Sequence, residues 1–247
     1  MSTRKTALIT GANKGIGREI ARQLAHKRYS VWLGCRDVER GEQAAAALRT
    51  EGLDAHVLAL DVTSDASVKA AAVTYGKAND TLDVLVNNAG VATGGYAAPT
   101  KASLDDMRAV YEVNVFGPVR VTQAFVPFLR KAGQGRIVMM SSSLGSISEQ
   151  LDMTGGTYGV NLLGYNSSKS ALNMITVSFA KELAAHGIKV NAANPGYVAT
   201  DLNSNQGYRR VEQGAAVAVH LATLGPMGPT AGFFNDGTEA KVGRHAW

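Results

Sequence analysis

Tyr165 and Lys169 stand four residues apart in Tyr165-Asn166-Ser167-Ser168-Lys169. On a helix that spacing puts a phenol and an ammonium on one face, one turn apart. A phenol titrates at about 10 in water and is a poor proton partner at neutral pH until a neighbouring cation favours its phenolate. Such a pair can shuttle a proton. Read alone, the spacing is common and mostly surface chemistry, so its meaning depends on its surroundings. Upstream, Ser141, Ser142 and Ser143 follow the apolar run Arg136-Ile137-Val138-Met139-Met140 and offer hydroxyls to a polarised oxygen.

A second chemical feature opens the chain. Thr10-Gly11-Ala12-Asn13-Lys14-Gly15-Ile16-Gly17 follows an apolar run and leads into helical periodicity. Glycines at Gly11, Gly15 and Gly17 permit a tight turn and let backbone N–H groups approach a pyrophosphate, whose charge then lies at the positive end of the helix. A glycine triplet by itself could simply tighten a strand-to-helix turn. Its place at the start of a β-α pattern favours dinucleotide binding.

The elements that must position these residues follow from periodicity. Runs at 6–10, 30–34, 55–60, 83–86, 136–141, 189–193 and 232–235 read as seven strands, several apolar at consecutive positions as in a parallel sheet covered on both faces. Helical spacing covers 15–27, 39–51, 65–78, 104–131, 165–185 and 209–224. Asp37 and Ser64 sit where N-caps are expected, and Gly187 where a helix stops. The longest loop, 143–164, has the length of a functional loop. No linker, charge block or repeat divides the chain, which reads as one domain over 1–247.

The glycine spacing is Gly-x-x-x-Gly-x-Gly. With the preceding threonine it resembles the short-chain dehydrogenase/reductase family, and three further matches lie in that family's order: Asn87-Asn88-Ala89-Gly90, Tyr165 to Lys169, and Asn194-Pro195-Gly196. The resemblance spans the chain and implies an α/β fold, a Rossmann-type doubly wound seven-stranded parallel sheet with helices on both faces. It implies a catalytic set of Asn114, Ser142, Tyr165 and Lys169. Ser142 is chosen through the family's Ser-x-x-Gly pattern with Gly145, Ser143 being the alternative. Asn114 is the asparagine that holds a water against the lysine, and read on its own is a helix-interior amide that bends its helix. The expected cofactor contacts are Gly11, Asn13, Lys14, Gly15, Ile16, Gly17, Arg36, Asp61, Val62, Asn88, Ala89, Gly90, Tyr165, Lys169, Pro195, Gly196, Val198 and Thr200. Asp61 is expected at the adenine amino group, with Val198 and Thr200 at the carboxamide.

Charge points to the form of the cofactor. The net charge of +5 is uneven: residues 1–40 hold nine Lys or Arg against three Asp or Glu, and the remainder is nearly neutral. The second strand ends Leu33-Gly34-Cys35-Arg36-Asp37. An acid there selects NAD, whereas a cation invites a 2′-phosphate. Neutral Cys35 followed by Arg36, with Lys14 in the glycine loop, predicts NADPH.

Within the family the chain is most similar to NADPH-dependent carbonyl reductases, through residues 11–17, 35–41, 51–53, 197–201 and Trp247. The implied reaction is reduction of a ketone, aldehyde or quinone to the alcohol, with no metal. The loops 146–164, carrying Leu151, Met153, Tyr158 and Leu162, and 197–208, carrying Leu202 and Tyr208, would wall a site for a small uncharged carbonyl compound, and the acids Glu149 and Asp152 disfavour an anionic one. An NADP-dependent alcohol or steroid dehydrogenase running toward oxidation would use the same residues. A non-catalytic NADPH-sensing regulator would need none of the four. Only 6% of residues are aromatic and no basic stripe interleaves with them, which excludes a nucleic-acid surface. No apolar run reaches the ~18 residues of a membrane span, and Met1–Thr6 lacks a secretory core. A cytoplasmic enzyme is expected, as a homo-oligomer (dimer or tetramer), with a monomer as the alternative.

Overall fold

The computed structural model describes residues 4–237 and 241–247. Seven parallel strands form: β1 (Thr6–Thr10), β2 (Ser30–Cys35), β3 (Ala55–Ala59), β4 (Val84–Asn87), β5 (Arg136–Met140), β6 (Lys189–Asn194) and β7 (Phe233–Gly237). Their order in the sheet is β3-β2-β1-β4-β5-β6-β7, the doubly wound arrangement expected. An eighth strand, β8 (Lys241–His245), adds antiparallel to β7, with Phe233 opposite His245 and Asn235 opposite Gly243. Lys-Val-Gly-Arg-His has one apolar side chain and no alternation, so pattern alone does not reveal it; charge of this kind is usual at a sheet edge.

The consecutive apolar strand residues divide between two cores. Ala7, Ile9, Val84, Val86 and Val138 face α1 (Gly15–His26), α2 (Val38–Thr50) and α8 (Val211–Ala222). Leu8, Leu85, Ile137 and Met139 face α3 (Asp65–Ala78), α5 (Gly117–Ala132) and α7 (Leu163–Leu183). In the second core the Tyr75 ring meets Trp32, Phe125 and Phe128 edge-on at 5.2–5.6 Å. Both faces of the sheet are covered, which is why β1, β4 and β5 are buried at every position. The caps hold as expected: Asp37 accepts from Arg40 N, Ser64 accepts from Ser67 N, and Gly187 is left-handed.

The helix expected over 104–131 is not continuous. It runs as α4 (Leu104–Tyr111), a π-helical turn over Glu112–Phe116, and α5. Gly117-Pro118 supplies the cause, because Pro118 has no N–H to give the carbonyl of Asn114 four residues back. The long loop carries a 3₁₀ turn at Ser143–Gly145 and a short α6 (Ile147–Leu151).

Candidate active site

The order reverses between β1 and β4, where a doubly wound sheet opens a crevice at its carboxyl edge. A cleft of about 850 Å³ lies there, lined by the glycine loop, the ends of β2 and β3, Asn88 to Val91, Tyr165, Lys169, Pro195 and the residues 199–202. Gly11 and Gly15 are left-handed at φ +65 and +56. A Cβ on Gly17 would stand 2.4 Å from Asn88 Nδ2 and 2.6 Å from the Gly11 carbonyl, so no other residue fits the loop. The first turn of α1 carries no acidic residue and Lys14 caps it without a side-chain bond, leaving the positive helix end to the cleft. Thr10 ties the two halves of the crevice together: its hydroxyl accepts from Asn88 N and Ala89 N, both at 3.0 Å. Asn88 Nδ2 in turn donates to the Thr10 carbonyl at 2.9 Å. Asn88 therefore braces the loop.

At the far end, Arg36, Asp37, Arg40, Asp61 and Val62 line the cleft. Arg36 has no hydrogen-bond or ion-pair partner among the described residues, a free guanidinium where a cation was expected. Asp37 is spent on the α2 cap and on Arg40 Nε at 3.2 Å. Burial pushes the Cys35 thiol up to about 11, so no anion replaces the missing acid at the end of β2. Asp61 Oδ1 accepts from Thr63 N and Oγ1, and the second oxygen takes no hydrogen bond among the described residues.

At the other end, the Ser142 hydroxyl lies beside the Tyr165 phenol and favours its phenolate, which works against the burial that pushes Tyr165 up to about 12. Lys169 Nζ lies 5.4 Å from the centre of the Tyr165 ring and donates to the Met140 carbonyl at 2.8 Å. Burial brings its ammonium down to about 8. The three serines are sorted by their partners. Ser141 is 3% exposed and donates to Asn173 Oδ1 at 2.6 Å, Ser142 meets Tyr165, and Ser143 begins the 3₁₀ turn. Asn114 Oδ1 accepts from Val91 N, while its Nδ2 donates to the Val91 carbonyl and to Ser168 Oγ. That amide locks the loop after β4 to α7.

The family model for short chain dehydrogenases matches residues 5–210. The chain belongs to the short-chain dehydrogenase family. A relative in Penicillium roqueforti, the short-chain dehydrogenase anuI, is 36% identical over 230 residues, covering 90% of each chain. The NADPH-bound carbonyl reductase from chicken fatty liver superposes with a TM-score of 0.84 at 31% identity over 99% of each chain. An actinorhodin polyketide ketoreductase with NADPH gives 0.83 at 28% identity, over 95% of this chain and 96% of that one.

As a short-chain dehydrogenase the chain is an oxidoreductase, and most expected residues of its site converge on one cleft. Gly11, Asn13, Lys14, Gly15, Ile16, Gly17, Arg36, Asp61, Val62, Asn88, Ala89, Gly90, Tyr165, Lys169, Pro195 and Thr200 all line it. Three positions differ in detail. Val198 turns its side chain away, packed so closely on α8 that a Cβ on Gly214 would stand 2.5 Å from it, and its carbonyl is taken by Asn203 Nδ2. Gly196 does not line the cleft but turns the chain at φ +75, its N–H on Asn194 Oδ1. Lys14 is paired across the cleft with Asp201 at 2.6 Å.

Asp201, Arg40 and Thr10 were missed as site residues. Arg40 lies four residues beyond Arg36, in the first turn of α2 that follows the end of β2, a proximity that could have flagged it. Asp201 joins the site only through the fold, 187 residues from its partner.

Proposed function

We propose that this short-chain dehydrogenase reduces a small uncharged carbonyl compound, a ketone, aldehyde or quinone, to the alcohol with NADPH. The observation that carries the reading is the placement of Ser142 beside the Tyr165 phenol, with Lys169 one turn away on the wall of a cleft that fits a dinucleotide. The cleft fits that group: the glycine loop leaves room only for backbone, α1 offers its positive end, and free Arg36 with Arg40 and Lys14 gives the cations a 2′-phosphate requires. NADPH held there supplies the hydride.

The chain's own residues manage the oxygen and the proton. Ser142 Oγ donates to the carbonyl oxygen and strengthens that bond as negative charge develops. Tyr165 delivers the proton to the same oxygen, and its burial, which raises its pKa, keeps it protonated for that step. Lys169 stabilises the phenolate that remains. With the Asn114 side-chain amide fully engaged, a water held against Lys169 would be held by the Asn114 carbonyl, which Pro118 leaves without its usual helical donor.

The exposed apolar residues Leu151 and Met153, the edge-on pair Tyr197 and Tyr208 at 6.1 Å, and Leu202 would receive the uncharged substrate. One domain, 1–247, would carry both cofactor and substrate, in a cytoplasmic homo-oligomer. The test is NADPH consumption against a panel of ketones, aldehydes and quinones, with Tyr165→Phe beside the wild type. Turnover by the wild type alone supports the reading; cofactor binding with no turnover on any compound overturns it.

A further inference from the structure

The family model ends at residue 210, yet β7, β8 and the residues after them reach back to the active-site loop. His245, at the end of β8, has a side chain only 8% exposed. Its ring packs edge-on to Phe233 at 4.6 Å, and Trp247 stacks on the other side of the same cluster at 5.5 Å from Phe233. Asn235 Nδ2 lies 3.1 Å from His245 Nδ1; an amide nitrogen can only donate, so Nδ1 accepts and the ring proton sits on Nε2. Nε2 of this neutral ring is 3.0 Å from Glu149 Oε1 on α6, a close polar contact at an oblique angle. Beside it, Ser148 N and Oγ both donate to the Trp247 carbonyl at 3.1 and 2.8 Å.

We propose that His245 and Glu149 are positioning residues for substrate: with the Trp247 carbonyl on Ser148, they clamp α6 and so hold one wall of the substrate site. The assignment rests on the reductase reading for its substrate arm only. Two neighbouring anchors define its reach. The turn that carries Ser142 is fastened to α7 without the clamp, since the Gly145 carbonyl accepts from Ser170 Oγ and Asn173 Nδ2. Among the described residues α6 is hydrogen-bonded to α7 by one pair of side-chain amides, Asn166 Nδ2 donating to Gln150 Oε1 at 3.2 Å. A five-residue helix has no stability of its own, so freeing it from β8 lets the wall from Ile147 to Met153 move while Ser142, Tyr165 and Lys169 stay in place. The clamp should therefore act on KM for bulky carbonyls and leave kcat and NADPH affinity nearly unchanged.

The experiment compares wild type, Glu149→Ala, His245→Ala, the double variant and Glu149→Gln, first by hydrogen exchange and then by kinetics. Each alanine variant should speed amide exchange over 146–152 by about tenfold. Exchange at 142–145 should not change. The double variant should be no faster than either single. Glu149→Gln, which keeps the size and polarity of the side chain beside the neutral ring and removes only its charge, should stay close to wild type. Retained NADPH affinity in every variant reports an intact fold, and loss of it in both alanine variants overturns the proposal. So does unchanged exchange over 146–152, or acceleration that adds in the double. On any carbonyl the wild type reduces, the alanine variants should raise KM about tenfold with kcat within about threefold; a loss confined to kcat contradicts the clamp. Failure of the reductase reading appears separately, as a wild type without turnover.

Discussion

Exchanging the Tyr165 hydroxyl for hydrogen removes the proton donor that lies beside Ser142. Tyr165→Phe should leave NADPH affinity within about twofold and lower kcat by three or more orders of magnitude. Steady-state kinetics beside a cofactor titration checks both. Ser142→Ala should cost on the order of 10²-fold in kcat, and Ser143→Ala should cost little, because only the first hydroxyl meets the phenol. The two directions of reaction should part with pH. Reduction needs the phenol, so its kcat/KM stays level through neutrality and falls where the phenolate forms. Oxidation of the alcohol needs the phenolate and rises over the same range, and pH profiles of kcat/KM in both directions read this. Arg36→Ala should weaken NADPH about tenfold and leave NADH nearly untouched, as cofactor titrations would show. At this scale the sequence was informative wherever a residue acts through local neighbours: Tyr165 with Lys169, the glycines, Arg36 after Cys35. It was silent on Asp201, whose partner Lys14 lies at the opposite end of the chain.

Elements carry these side chains, and where they depart from the sequence pattern the cause is physical. The central parallel strands β1, β4 and β5 were legible because burial on both faces leaves consecutive apolar residues. Strand β8 was not, because an edge strand needs backbone partners more than apolar side chains. Helical periodicity ran unbroken through 104–131, since a π turn shifts the apolar stripe by one residue and preserves its general face. Pro118 marked the break. The glycine loop and the Asn114 lock are the two points where an element holds the site. Gly17→Ala would drive a Cβ into the Gly11 carbonyl, and should destabilise the protein by about 1–3 kcal/mol and abolish tight NADPH binding, as denaturant melts and titration would show.

For the whole molecule, burial of an ionisable helix residue links catalysis to stability. Lys169 falls from an ordinary 10.5 to about 8 in the fold. Between those values the unfolded chain binds the proton and the native protein does not, so this group makes stability rise with pH from about 8 to 10.5. Below 8 both states are charged and the burial penalty is fully felt. Wild type should therefore gain on Lys169→Met as pH climbs through that window, measured by denaturant unfolding at each pH. The uneven charge of the chain also acquires a location: of its cations, Lys14, Arg36 and Arg40 meet in the cleft, while Arg4 and Arg22 pair with Asp54 and Glu51 on the surface. The central claim is NADPH-driven carbonyl reduction at Ser142, Tyr165 and Lys169. The most direct measurement is NADPH absorbance in the presence of a ketone, aldehyde and quinone panel, for wild type and Tyr165→Phe at equal cofactor occupancy. Consumption by the wild type that vanishes in the variant is the predicted result; equal consumption by both, or none by a wild type that binds NADPH, would contradict it.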